Sequence, residues 1–204
     1  MTQRLIGTIA AFAVVLAGLV WWLTNGSSRA AVVEAVPDEL IGEPDLYIEN
    51  GHISQYDQNG ILDYELLAAE IRHFARDTLT RLTRPTLKLH GQTDAPPWNA
   101  KARTGFVDQA KRPDGSKEER VYLNRDVELA QRFTDGRYTR LRGDDLYLYP
   151  EREYAYTEQG VTIDTDVGRT KAAKLYGFLD QGLINLRANA NQRVTTIVLR
   201  DQFK

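Results

Sequence analysis

From Leu5 to Leu23 the chain runs 19 residues without a charged side chain; beyond it, apolar residues come in short runs or alternate with polar ones. The two regimes predict two kinds of structure. A helix of the first length covers roughly 28 Å, close to the thickness of a bilayer's hydrocarbon core. Arg4 stands before it, and Trp21 and Trp22 close it, where an aromatic belt belongs. This pattern predicts a transmembrane helix over 5–23 with a cytoplasmic start over 1–4. The rest of the chain then lies across the membrane. A cleaved signal peptide is the competing reading, with Ser28 and Ala30 suiting a cleavage site. Its apolar core would be shorter, about 7–15 residues, so the length and the two tryptophans favour a retained anchor. Residues 24–44 open on Asn25-Gly26-Ser27-Ser28 and carry Pro37, Gly42 and Pro44, the composition of a linker.

Beyond Pro44 the period is two. Val121, Leu123, Val127 and Leu129 alternate with polar residues, as do Leu87 with Leu89 and Val161 with Ile163. Glycines recur at turn-like intervals, and Pro113-Asp114-Gly115 marks the tip of an extended hairpin over 111–119. The pattern predicts an all-β domain over 45–199, a sandwich, barrel or roll, with a short tail at 200–204. One stretch is ambiguous. Residues 61–79 are rich in helix formers, with Tyr64, Leu67, Ile71, Phe74 and Thr78 at helical spacing. Leu62, Tyr64, Leu66 and Ala68 also fit strand spacing, and periodicity alone does not choose between the two.

Charge sharpens this division. Residues 1–28 hold one charged side chain, Arg4, so the remainder carries a formal −3 out of the chain's −2. Mean hydropathy is −0.44 even with the apolar leader included. A near-neutral balance argues against a nucleic-acid partner. With no cysteine, disulfides, thiol catalysis and cysteine zinc sites are excluded.

Candidate chemistry is sparse. There is no phosphate-binding glycine loop and no serine in a nucleophile elbow. His52, His73 and His90 are far apart in sequence, and none has a second ligand at metal-binding spacing. Asp164-Thr165-Asp166-Val167-Gly168 falls short of a calcium loop. Gly143-Asp144-Asp145 reads as a turn between strands rather than as a carboxylate pair. Arg137, Arg140 and Arg142 form a basic cluster, read as a solvated strand face. No metal, cofactor or catalytic residue is expected, and the chain reads as no enzyme.

The order of features resembles the LptC family of lipopolysaccharide-export proteins. The local matches are Pro44-Asp45-Leu46-Tyr47, Gly60-Ile61-Leu62-Asp63-Tyr64-Glu65-Leu66 with Ala68, and Thr83-Arg84-Pro85-Thr86-Leu87. They continue through Pro97-Trp98-Asn99-Ala100-Lys101-Ala102, Val121 to Leu129, Leu146 to Pro150, Gly160-Val161-Thr162-Ile163 and Leu175-Tyr176-Gly177. Each piece consists of common strand residues; their number and order carry the likeness. The charged insertion at 111–119 and the tail after Val194 depart from it.

The resemblance implies an open, twisted β-jellyroll of antiparallel strands behind one inner-membrane helix, and it makes 61–79 strand. It implies a non-enzymatic transport component located in the inner membrane and periplasm. Such a roll receives lipopolysaccharide from the inner-membrane ABC exporter (LptB, LptF, LptG) and passes it to the periplasmic bridge protein LptA. Parity along the strands then lines the lipid groove with Ile53, Tyr64, Leu66, Leu82, Leu87, Leu89, Leu123, Ile163, Ile184 and Leu186. A small roll uses one face for core and groove, and parity does not separate the two. The docking edge for the bridge protein falls in the last strands, at Gly182, Leu183, Asn185 and Val194. The alternative is a membrane-anchored scaffold that binds only other proteins.

Overall fold

The computed structural model describes residues 43–57, 59–91 and 95–199. The expected cytoplasmic start, transmembrane helix and tail, and the linker through residue 42, lie outside them. The described residues form an antiparallel meander whose runs follow one another in chain order. The runs are β1 (Leu46–Tyr56), β2 (Leu62–Phe74), β3 (Leu79–Thr83) with β4 (Thr86–Leu89), and β5 (Trp98–Lys101) with β6 (Thr104–Lys111). Then come β7 (Lys117–Arg132), β8 (Tyr138–Tyr149), β9 (Tyr154–Thr157) with β10 (Val161–Thr165), β11 (Gly168–Ala172) with β12 (Lys174–Phe178), and β13 (Leu183–Arg187) with β14 (Thr195–Val198). The helical piece among the described residues is a three-residue 3₁₀ turn at Pro150–Arg152.

The broken runs reveal the architecture. The first half of β2 pairs with β4 and its second half with β3. Likewise β7 pairs with β6 through its first half and β5 through its second. Strand β8 meets β10 early and β9 late. Every run is therefore kinked at the same level, and the kinks line up as one crease across the sheet. The first half-sheet contains β4, β5, β10, β11 and β14 with the adjoining halves of β1, β2, β7 and β8. The second contains β3, β6, β9, β12 and β13 with the other halves. Folded along the crease, the two halves enclose one apolar cluster.

Four residues on the crease, Asn50, Arg84, Arg125 and Asp126, have left-handed backbone angles with φ between 50° and 65°. Side chains other than glycine pay about 1–3 kcal/mol each for this, so the surroundings must hold them. They do. Arg84 N donates to Arg103 O (2.8 Å), Arg103 N to Arg125 O (2.9 Å), and Arg103 pairs with Asp126. Opposite Arg125 and Asp126, β8 offers the single residue Asp144, so its pairing with β7 shifts register there. That corrects one expectation. Gly143-Asp144-Asp145 is not a turn but lies inside β8, opposite this bulge.

Residues 61–79 contain β2, a turn and the start of β3, so they are extended despite their helix formers. Packing explains it. Tyr64, Leu66 and Ala68 are all buried while Leu67 is exposed. Residues two apart share a strand face but stand about 160° apart around a helix. Burial of three alternate side chains outweighs a propensity of tenths of a kcal/mol per residue. The hairpin over 111–119 forms as expected, with Arg112 N bonded to Ser116 O (2.8 Å).

On the outside of the second half-sheet a row of rings crosses five strands in register: Phe106, Tyr122, Tyr147, Tyr156 and Tyr176. Successive centroids are 4.6–6.3 Å apart. Cross-strand aromatic pairs of this kind stiffen a sheet by about 0.5–1.5 kcal/mol each.

Candidate functional site

The crease places the interior. Across the first half-sheet one inward row runs Ile53, Leu66, Leu87, Ala100, Leu129, Leu141 and Ile163, each opposite the next. Across the second, Ile48, Ile71, Leu82, Gly105, Leu123 and Leu146 do the same. All ten expected groove residues face this interior.

They do not share one environment. Tyr64, Leu66, Leu82, Leu87, Leu89, Leu123 and Ile163 are at most 6% exposed and form a filled core. Ile53, Ile184 and Leu186 are only partly covered. Coverage falls towards the two ends of the strand order, because among the described residues β1 pairs only with β2, β13 only with β12, and β14 only with β11. The inward rows run out to these ends. Leu46, opposite His73, and Val198, opposite Gly168, point along them yet stay exposed. Parity reading missed Leu46, Ile48 and Val198. The crease shifts parity by one residue, so Leu66 and Ile71 share a face although one number is even and the other odd.

The expected docking residues fall on the last run of the chain, Gly182, Leu183 and Asn185 at β13 and Val194 before β14. Gly182 closes the β12–β13 turn with φ +62°. Leu183 and Asn185 lie on the outward side of β13, and Val194 precedes β14. Leu183, Val194 and Ile197 are exposed. Sequence reading did not single out β1, the second free edge.

Few polar groups enter the interior. The Tyr64 hydroxyl donates to Glu119 Oε1 (2.5 Å). Burial pushes the Glu119 carboxyl up, Glu151 and Asp63 add to the rise, and the Tyr64 bond opposes it. Burial also raises the Tyr64 hydroxyl strongly. Trp98 Nε1 donates to Leu179 O (3.4 Å), and Gln131 Nε2 to Pro96 O (2.7 Å). None of these is a nucleophile beside a base.

Outside, the histidines prove less scattered than their numbering implies. His52 and His90, with Lys88, gather around Glu65 at 3.4, 3.0 and 3.2 Å. The Glu65 carboxyl is lowered, chiefly by the His90 bond. Among the described residues no group of such side chains could hold a metal ion. Arg142 of the basic cluster pairs with Asp164, which also holds Arg169, so the calcium-like loop is a hairpin pinned by two arginines. Two hollows on the outer face of the first half-sheet, of about 290 and 440 Å³, are bordered by charged groups such as Lys101, Glu128, Arg132 and Arg142. Part of the uncovered apolar surface, Leu46, Ile197 and Val198 among it, lies at the two ends of the strand order.

Comparison with known proteins agrees with this geometry. The sequence matches the family described as lipopolysaccharide-assembly, LptC-related, over residues 10–195. No curated protein matches it. Several solved chains match in fold. One is LptH of Pseudomonas aeruginosa, described as the LptA-homologous periplasmic component of the lipopolysaccharide transport device. The likeness has a TM-score of 0.52 at 11% identity, and covers 67% of this chain and 94% of that one. At that identity it speaks for a shared roll architecture alone.

Proposed function

Because the chain belongs to the LptC-related family of lipopolysaccharide-assembly proteins, we propose that its roll carries lipopolysaccharide by sheltering the acyl chains between the two half-sheets. The observation behind this is the interior itself. One apolar surface follows the strand order and is only partly covered at its two ends, at Ile48 and Ile53 on one side and at Ile184 and Leu186 on the other, where Val198 is exposed. Acyl chains gain about 0.8 kcal/mol for each methylene kept from water, so a lipid with several chains crosses an aqueous compartment only under cover. Such cover requires no bond to be made or broken, and the role is non-enzymatic. The leader anchors the domain in the inner membrane, and the roll stands in the periplasm. The exporter formed by LptB, LptF and LptG delivers the lipid, and the bridge protein LptA takes it at the edge formed by Gly182, Leu183, Asn185 and Val194. Strand addition suits both transfers, since each end of the sheet offers unpaired backbone groups.

The filled centre of the roll favours a second reading, a scaffold that binds only proteins. Photo-crosslinking in cells separates the two. A crosslinker at Ile53 or Ile184 is expected to give lipopolysaccharide adducts, and one at the outward-facing Leu67 none. Adducts to protein alone at Ile53 and Ile184 would leave the scaffold.

A further inference from the structure

The outer face of the first half-sheet has no part in sheltering acyl chains, yet its side chains are ordered. Two outward rows cross it in register. One runs Asn99, Ala130, Arg140, Asp164, Arg169 and Ile197. The other runs Thr86, Lys101, Glu128, Arg142, Thr162 and Lys171. Five cations, Lys101, Arg140, Arg142, Arg169 and Lys171, thus fall within the neighbouring strands β5, β7, β8, β10 and β11. At about 4.8 Å between strands they cover a width of roughly 20 Å.

Their counter-charges fall short. Glu128 takes both Lys101 (3.2 Å) and Arg140 (3.9 Å), and Asp164 takes both Arg142 and Arg169. Each carboxylate therefore answers two cations with one charge. Lys171, and Arg132 at the end of β7, are exposed and make no ion pair among the described residues. Arg140 Nε is buried without a hydrogen bond among them. At the crease border Asp126 is paired with Arg103, and Asp144 stands beside Arg142 in one of the two hollows. The face is thus positive in a domain whose formal charge beyond residue 28 is −3.

Exposed apolar side chains adjoin this array. Ile197, opposite Arg169, is 66% exposed. Leu199, two residues on, and Val167 in the β10–β11 turn are exposed as well. A protein partner is held by a few side chains seated in apolar pockets, whereas the hollows here are bordered by charge. Spread cations with apolar side chains at their border suit an anionic bilayer instead, whose phosphates diffuse to meet them.

We propose that the outer face of the first half-sheet docks on the anionic phospholipid surface of the membrane that anchors the chain, through Lys101, Arg140, Arg142, Arg169 and Lys171, with Ile197 and Leu199 entering the headgroup layer. The inference rests on the anchored reading above and adds the face that the roll turns to the bilayer. On that reading a linker as long as 24–44 keeps the roll within about 25 Å of the surface, where a weak face meets lipid at high effective concentration.

The chain has no cysteine, so a bimane label goes only where it is placed. The full chain is put into nanodiscs of phosphatidylcholine, with or without phosphatidylglycerol, that carry a nitroxide quencher on some headgroups. A label at Thr195→Cys, opposite Lys171, is expected to be quenched in the anionic discs, to recover in high salt and to stay bright in neutral discs. A label at Asn185→Cys, on the outward side of β13, should stay bright in both. Lys101→Gln with Lys171→Gln should lower the ratio of docked to undocked protein about 25-fold, roughly fivefold per cation. Lys101→Arg with Lys171→Arg should preserve it. A bright Thr195 label in anionic discs, or quenching that survives the paired glutamines, would overturn the docking face and leave the anchor standing. Protein adducts alone from a crosslinker at Thr195 in cells, with no quenching by anionic discs, would give the face to a protein partner. A chain that separates from neutral discs in high salt has no anchor, and tethered docking falls with that reading.

Discussion

Glu119 shows how one side chain can work against the apolar surface around it. Its carboxyl is raised first by burial, then by Glu151 and Asp63, against the pull of the Tyr64 bond. The folded protein thus holds this proton more tightly than the unfolded chain does. The stability it contributes is fully present below the ordinary carboxylate range, about 4.3, and is lost as the pH rises through the raised value. Glu119→Gln, neutral at every pH, escapes that loss. Its urea midpoint relative to the parent protein should shift upward between pH 4 and pH 8, and a constant difference would show that Glu119 is solvated after all. Nothing in the sequence marks Glu119, which sits in the run Lys117-Glu118-Glu119-Arg120. Its neighbour Glu118, on the other face of β7, is the more buried of the two and is held by Arg112 and Arg152. Only the strand's alternation, counted back from Val121 and Leu123, turns Glu119 inward.

At the scale of elements, what was legible was the period. Strands β7, β10 and the 111–119 hairpin follow from alternation and a Pro-Asp-Gly turn. The crease was not legible, because its left-handed positions are Asn50, Arg84, Arg125 and Asp126 rather than glycines. Without it, parity cannot be carried from one half of a strand to the other. The same gap turned Gly143-Asp144-Asp145 into a turn and hid Leu46 and Val198. Where glycine is required, the reason is close approach. A Cβ on Gly168 would stand 2.2 Å from the Ile197 carbonyl oxygen. Strand β14 is exposed along its whole length and among the described residues pairs only with β11, so it is the element that yields. Gly168→Ala should therefore release β14 at a cost of about 1–3 kcal/mol. Hydrogen exchange should show protection lost at Ile197 and Leu199, whose N–H groups face β11, and retained across β7 and β8. Loss of protection in β7 would mean that β14 is integral to the roll.

The whole domain is a sheet that folds over without closing, and this gives it direction. A barrel would bury every backbone group of its strands, whereas this roll leaves β1 free at one end and β13 with β14 at the other. Two ends of one axis suit two neighbours in line, with the apolar interior running between them. If β13 recruits a neighbour by strand addition, its outward backbone N–H groups carry the contact. Of two consecutive residues in an edge strand, one N–H faces β12 and the other faces away. Proline removes that donor, so one of Ile184→Pro and Asn185→Pro must spare the pairing with β12 while deleting an outward bond. The sparing variant should keep the parent's melting temperature within a few degrees, lose capture of the bridge protein, and still yield lipid adducts from a crosslinker at Ile53. Lipid would then load at one end and stall at the other. Capture retained by both variants would move the docking surface off β13, leaving β14 or β1 to provide it.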